Sequence, residues 1–451
     1  MSAVTATQTV AAPEPRAART ASRPGLGVAI RVEFSKLIAQ LPLRVLLVFC
    51  VIVPVVFAIG MRVSGIRPSD TLFGRWAGTS GFATSLFILD WTAAWGVAVG
   101  AGLIAGDIFA SEDRLGTWKT LLTRSASRTQ LFLGKAIAAT IGVWLCWALI
   151  GVVSIGAGLA VIGGEPLIGL SGQLIEPGHA LGLLAASWAI GLLPATAFAA
   201  LGVLFSVASR STVVGVVGPL LVAIVLQGLE NIASGTIVRS IMLFTPFDVY
   251  HVLFTAPVHA GAVAQAVVTS LVYTAIFAAA SWWLLRRREF AGADAVPANR
   301  RRTFVQIGVT VVVIGGVLAG VGKVGPTPLT ADNLATSVNT TFSNLVQVNY
   351  LWHNGRPADT TTPWSTICSV GTITPTANKG SGAGEGWSCL ITDTRTTDGI
   401  SPIQVDLEVR ANGCYTVQAP PAAVGALHGT DPKGRSYLNP LYAFDGCLGT
   451  P

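Results

Sequence analysis

Three long stretches of this chain carry no formal charge: 29 positions between Lys135 and Glu165, 33 between Glu176 and Arg210, and 37 between Asp248 and Arg286. Roughly 20 apolar residues in a helix cross the hydrocarbon core of a bilayer, so each run is long enough to span. A soluble domain carries about 25% charged residues, whereas here 11% are charged and 51% hydrophobic. One large water-soluble globule is excluded. The expected class is mainly α: a polytopic membrane protein.

Apolar patterning gives seven expected spans, at about Leu43–Met61, Gly81–Ala110, Leu131–Ile162, His179–Ala208, Ser211–Leu229, Ala262–Leu285 and Thr303–Gly322. Ser240–Pro257 is also apolar but is interrupted by Pro246 and Pro257, and it reads as a partly inserted re-entrant segment. Irregular backbone at membrane depth survives only where protein or water covers it. Other span counts stay open on this point. Residues 1–27, rich in Ala, Thr, Pro and Arg, read as a disordered tail without a signal-peptide core. In residues 28–42, Ile30, Phe34, Leu37, Ile38 and Leu41 make one helical stripe, with Arg31, Glu33 and Lys36 pointing elsewhere. That stretch suits a helix lying at the interface, ended by Pro42.

Loop charges set the expected orientation. Arg114, Lys119, Arg124 and Arg128 fall between the second and third spans, and Arg286, Arg287, Arg288, Arg300, Arg301 and Arg302 follow the sixth. The connection Gly163–Gly178 has no Lys or Arg. The positive-inside rule therefore predicts a cytoplasmic N-terminus and cytoplasmic basic loops, although Arg62, Arg67 and Arg75 run against the trend. The expectation is a multi-pass protein of a bacterial plasma membrane, with a basic linker and seventh span over 291–322 and an extracellular domain over 323–451. The first 322 residues hold 22 Lys/Arg against 13 Asp/Glu, and the remainder seven against nine. The positive excess lies at helix ends and not on a nucleic-acid-binding face, so no nucleic acid is expected among the partners; membrane lipid is.

The outer part reads as a small α+β module. Leu334, Val338, Phe342, Leu345 and Tyr350 form a helical stripe. Ile403, Val405, Leu407 and Val409 alternate with polar residues as in a half-buried strand. Asn412-Gly413 then signals a hairpin, with "CYTV" as the return strand, and Asn378–Gly386 reads as a flexible loop. Cys368, Cys389, Cys414 and Cys447 all lie in this part, where disulfides are expected, while Cys50 and Cys146 lie in spans. Four cysteines allow three pairings. Proximity favours Cys368–Cys389 and Cys414–Cys447 without deciding it. A zinc site is the alternative, but no C-x-x-C pair or suitably spaced His accompanies these cysteines; no metal is expected. His353 and His428 read as surface or capping residues.

The most informative segment is residues 101–139, which leaves the membrane, becomes charged and re-enters after Lys135. Leu115, Trp118, Leu121 and Leu122 form an apolar face flanked by Arg114, Lys119, Arg124 and Arg128. A short amphipathic helix of this kind needs a protein partner or the lipid surface to cover it. Within it, "GDIFASEDRLGTWKTLLTRSASRTQLFLGK" resembles the cytoplasmic segment of ABC-2-type transporter permeases. The resemblance extends over roughly residues 28–290. The seventh span and the outer domain depart from the usual six-helix pattern.

The resemblance implies a permease that pairs with a second permease subunit, identical or not, and with two cytoplasmic ATPase subunits. By position, Glu112, Gly116, Thr117, Trp118, Leu121, Leu122, Arg124 and Arg128 would form the ATPase-coupling segment, within about 111–130. Ile30–Leu41 would be the connecting helix and Ser240–Pro257 an outer gate. The expected function is ATP-driven export by alternating access, the chain itself being no enzyme. A phosphate-binding loop needs G-x-x-x-x-G-K-[ST]. Gly134-Lys135 is instead followed by Ala136, with Thr129 in place of the first glycine, so ATP and Mg would be bound by the partner. No catalytic site or cofactor of its own is expected.

Intramembrane charge points to substrate paths, which singles out Asp90 with its neighbours Trp91 and Trp95. Asp90 lies 17 residues before Asp107, about 25 Å along a helix, which places it near the outer boundary. Trp144, Trp147 and Trp188 are further candidates for a lining. So few charges suit an apolar or amphipathic substrate such as a lipid, drug or natural product. Two other readings compete: a membrane-anchored sensor with an extracellular ligand-binding domain, and a membrane-embedded hydrolase or transferase. His179, His251 and His259 lack the clustering that the enzyme would need.

Overall fold

The computed structural model describes residues 25–65, 68, 71–118, 121, 127–232, 242–258, 260–288, 329–358, 363–371, 377–394 and 402–448, the side chains of 230–232 excepted. Helix makes up 65% of the described residues. Six helices among the described residues are long and apolar enough to cross a membrane. The expected seventh span, Thr303–Gly322, the tail over 1–24, and Lys119, Leu122 and Arg124 lie outside the described residues.

The amphipathic helix α1 (Leu26–Ala39) leads into α2 (Leu41–Ser64), whose first turn holds Pro42. The long helix α3 (Gly81–Leu115) passes through two π-helical stretches, Thr92–Gly96 and Gly102–Gly106. Then come α4 (Arg128–Val161), α5 (Pro177–Ser209), α6 (Thr212–Ile232) and α7 (Ala260–Arg286). Ser127 starts α4 through a capping box: its hydroxyl accepts from Gln130 N at 3.2 Å, and Gln130 Oε1 accepts from Ser127 N at 2.9 Å. Two orphan donors of the first turn are thereby satisfied.

Helix α5 packs on α4, α6, α7 and the second half of α3, while α4 also carries α1, α2 and the start of α3. Apolar surface gives little drive between helices in lipid, so close backbone approach takes its place. Gly106 of α3 meets the carbonyl of Gly215 on α6 so closely that a Cβ would collide. Outward faces remain apolar: Val48, Phe49, Val56 and Val63 on α2 are exposed.

The bundle has two unlike ends. A basic end gathers α1, the segment 110–118, the start of α4 and Arg286–Arg288. The opposite sheet end gathers residues 71–80, the hairpin of β1 (Leu167–Ile168) and β2 (Leu174–Ile175), and the broken segment. The hairpin was not expected in Gly163–Gly178. The broken segment consists of a single helical turn, Thr245–Asp248, followed by 3-10 helix Val249–Phe254.

Beyond the sheet end sits the C-terminal domain. Helix α8 (Ala331–Asn354) covers one face of a five-stranded antiparallel sheet. The strands are β3 (Trp364–Val370), β4 (Gly384–Asp393), β5 (Ile403–Val409), β6 (Cys414–Gln418) and β9 (Ala443–Cys447), paired in that order. A separate small hairpin of β7 (His428–Thr430) and β8 (Ser436–Leu438) falls in the connection from β6 to β9. Leu334, Val338, Phe342 and Leu345 are buried as the stripe predicts, and β5 alternates buried and exposed residues along its length. Disulfides join Cys368 to Cys389 and Cys414 to Cys447, each between paired positions of neighbouring strands.

Asn378–Gly386 is not a free loop. Asn378 Oδ1 accepts from Cys368 N at 2.8 Å, Gly380 O accepts from Ala331 N at 3.1 Å, and β4 begins at Gly384. Positive φ at Gly380, Gly382, Gly384 and Gly386 lets the chain wind against the start of α8.

Candidate functional site at the basic end

The site is built around Lys135, two turns into α4 and facing the protein. Its side chain is 2% exposed, and Nζ lies 2.8 Å from Glu33 Oε2 of α1 and 2.7 Å from Glu112 Oε1 at the end of α3. Glu33 also accepts from Lys36 Nζ at 2.9 Å, and Glu112 accepts from the Thr117 hydroxyl. An isolated buried charge is prohibitively costly, but two carboxylates around one ammonium give each a partner. The network thus ties three separate elements together.

A second set of contacts supports the same end. Arg288 Nη2 lies 2.6 Å from Asp113 Oδ1, and Arg128 Nη1 donates to Arg288 O at 3.4 Å. Ser206 Oγ accepts from Phe109 N and Ala110 N at 3.1 and 3.0 Å, fixing the last turn of α3 against α5. Trp118 stacks on Phe109, which packs on Phe132, which in turn meets Trp282 of α7.

Several expectations change here. In α1, Leu37 is buried and Ile30 and Phe34 are half-buried while Ile38 is exposed, so most of the expected stripe meets the protein, and Glu33, expected to point elsewhere, is buried on that same face. The reason is physical: Lys135 draws Glu33 inward, and apolar residues beside a bilayer have no need to hide. Glu112 also turns inward. Trp118 is buried within its own chain, which removes it from the expected exposed face. Gly116, with φ +64°, caps the turn ending at Leu115, so Leu115 and Leu121 do not share one continuous helix. Leu121 is half-buried, whereas Leu115 is 68% exposed and stands beside exposed Arg114 and Gly116.

At the far end, Tyr250 OH donates to Asp90 Oδ1 at 3.3 Å. Trp91 and Trp95 instead lie on the bundle surface, so the three residues do not line one cavity. Trp144 donates to Thr196 Oγ1 at 2.9 Å. Trp147 and Trp188 pack edge to face, and Trp147 meets Phe247 of the broken segment. Among the described residues no cluster of His, Cys, Asp or Glu could hold a metal.

Sequence reasoning missed Glu33, Asp113, Lys135 and Arg288 as partners. One signal was present: Lys135 begins a run of 29 uncharged positions, and a cation at such a boundary either snorkels or finds a carboxylate.

A family model described as "Protein of unknown function (DUF2705)" matches residues 73–291, just under half of the chain. That stretch begins after α2, closes just beyond α7 and leaves out the C-terminal domain. None of the curated proteins matches the chain.

Proposed function

We propose that the chain is the permease subunit of an ATP-driven ABC-type exporter, in an assembly of two permeases and two ATPase subunits. The carrying observation is the Glu33–Lys135–Glu112 network, which ties α1, the turn at 110–118 and α4 into one platform. From that platform Arg114, Leu115 and Gly116 project into solvent. A stiff, charged platform with one apolar knob suits transmission of a partner's motion better than adhesion to lipid. The sequence resemblance supports the same reading.

In this reading the basic end is cytoplasmic, and ATP with Mg is bound and hydrolysed by the partner. Motion pressed on 110–118 passes through Glu112 and Lys135 to α1 and α4, and alternately opens the bundle to either side. The cargo is apolar or amphipathic, consistent with aromatic residues between α4, α5 and the broken segment: Phe198 meets Phe244 and Phe247 at ring distances of 5.0 and 5.9 Å. The test is purification from native membranes with its ATPase, wild type against Leu115→Asp. Equal recovery and equal cargo-stimulated hydrolysis would remove the platform from its assigned role.

A further inference from the structure

The C-terminal domain is stitched to all three loops at the sheet end. Phe73 N donates to Asp445 Oδ2 at 3.0 Å and Arg75 Nη1 to Val417 O at 2.7 Å. Cys447 N donates to Leu170 O at 3.2 Å, and Leu170 N donates to Phe254 O at 2.8 Å. The β1–β2 loop therefore bonds to the outer sheet and the broken segment through the same residue. Asn344 Nδ2 donates to Ser171 O at 2.8 Å, and Trp76 meets Trp352 edge to face at 6.4 Å.

Arg75 and Asp445 are only 8% and 5% exposed in this seam. Charges are not buried at a chance contact, because desolvation is recovered only with partners held in place. A line of polar groups also runs inward. Asn412 Nδ2 in the β5–β6 turn is 3.5 Å from His251 Nδ1, His251 adjoins Tyr250, and Tyr250 bonds Asp90 of α3. The Arg410 guanidinium, from the same turn, acts electrostatically on Asp90, Tyr250 and Asp445.

We propose that the C-terminal domain is a fixed cap that holds the broken segment 242–257 closed over the bundle, with Asp90 as its anchor in the bundle. Asp90 is then a structural tie and not part of a ligand path. The inference rests on these contacts and stands apart from the transport reading. Should the chain export a cargo, that cargo either displaces the cap or leaves sideways between helices.

Hydrogen exchange on the full chain, in nanodiscs of phosphatidylethanolamine and phosphatidylglycerol, tests the cap without any partner or cargo. Gly172 has φ +74°, and a Cβ there would run into the Thr341 carbonyl of α8, so Gly172→Ala is a wedge in the seam. It should raise exchange at Phe73, Leu170 and Cys447 and, with them, across 242–257 by about tenfold or more. Strand amides at Val405, Leu407 and Val417 should stay protected, showing that the domain remains folded. Arg410→Gln and Asp90→Asn leave the backbone path untouched and should each loosen 249–254, with Arg410→Lys closer to wild type. Wild-type exchange across 242–257 in Gly172→Ala and Arg410→Gln alike overturns the cap. Wild-type exchange in Asp90→Asn alone overturns the anchor.

Discussion

Lys135→Met removes the centre of the basic-end network while keeping an unbranched side chain one atom shorter. Lys135 Nζ bridges Glu33 and Glu112 at 2.8 and 2.7 Å, so one substitution strips both carboxylates of their main partner. Removing one member of a buried ion pair costs about 3–5 kcal/mol. Two contacts soften the loss. Lys36 still reaches Glu33 at 2.9 Å, but its side chain is 46% exposed, and such a pair contributes no more than about 1 kcal/mol. Thr117 still bonds Glu112. The expected loss is therefore near the lower figure, about 3 kcal/mol, or roughly a hundredfold in the opening constant of α1. Exchange of α1 amides in lipid nanodiscs reads that constant directly. The double variant Glu33→Gln with Lys135→Met should recover part of the loss, because it deletes a stranded charge. An α1 opening constant within about threefold of wild type in Lys135→Met would show that apolar packing, and not the ion network, holds the platform.

Three further outcomes are expected. The disulfides close loops with sequence separations of 21 and 33 and should each contribute about 3 to 4 kcal/mol in the chain-entropy model; native alkylation followed by mass analysis should find the four outer cysteines protected, and free outer thiols would contradict this. Burial pushes the Tyr415 phenol up to about 12, although its hydroxyl is held by Ser337 and Thr341. With the folded value above the ordinary value near 10, its contribution is full below pH 10 and is lost as pH rises through 12, so Tyr415→Phe should cost about 1 kcal/mol at neutral pH and flatten the alkaline loss seen by thermal unfolding. A reporter active only outside the cytoplasm should work when fused after Pro451 and be silent when fused between Arg288 and Arg300; the reverse pattern would invert the assigned orientation.

Patterns set by neighbours in sequence were legible. Alternation over Ile403–Val409 and the Asn412-Gly413 pair mark β5, its turn and β6, because both signals arise within a few residues. Six of the seven expected spans match helices long and apolar enough to cross a membrane, because length and lack of charge are local signals, and the seventh, Thr303–Gly322, lies outside the described residues. Long-range partners were not. The Phe73–Asp445 bond joins positions 372 apart, and nothing local to either residue announces the other. The stripe in α1 was legible in part: Ile30, Phe34 and Leu37 turn toward the protein while Ile38 stays exposed, because apolar periodicity marks a face without saying whether lipid or protein meets it. Glu33, expected to point away with Arg31 and Lys36, faces inward beside Leu37 because its partner Lys135 lies 102 positions along the chain. Trp118 misled for a different reason: its spacing with Leu115 and Leu121 assumes a helix that Gly116 interrupts.

The most direct test of the transport reading is the composition and activity of the assembly formed by the full chain. Purified from native membranes and analysed by native mass spectrometry, it should hold two ATPase subunits for every two permease chains, and it should hydrolyse Mg-ATP. Leu115→Asp should insert normally yet lose the ATPase subunits, since on the transport reading the substitution places a carboxylate where a leucine, worth roughly 1.5–3 kcal/mol on burial, would meet its partner. A chain that purifies without any nucleotide-hydrolysing subunit, in wild type and variant alike, would contradict the account.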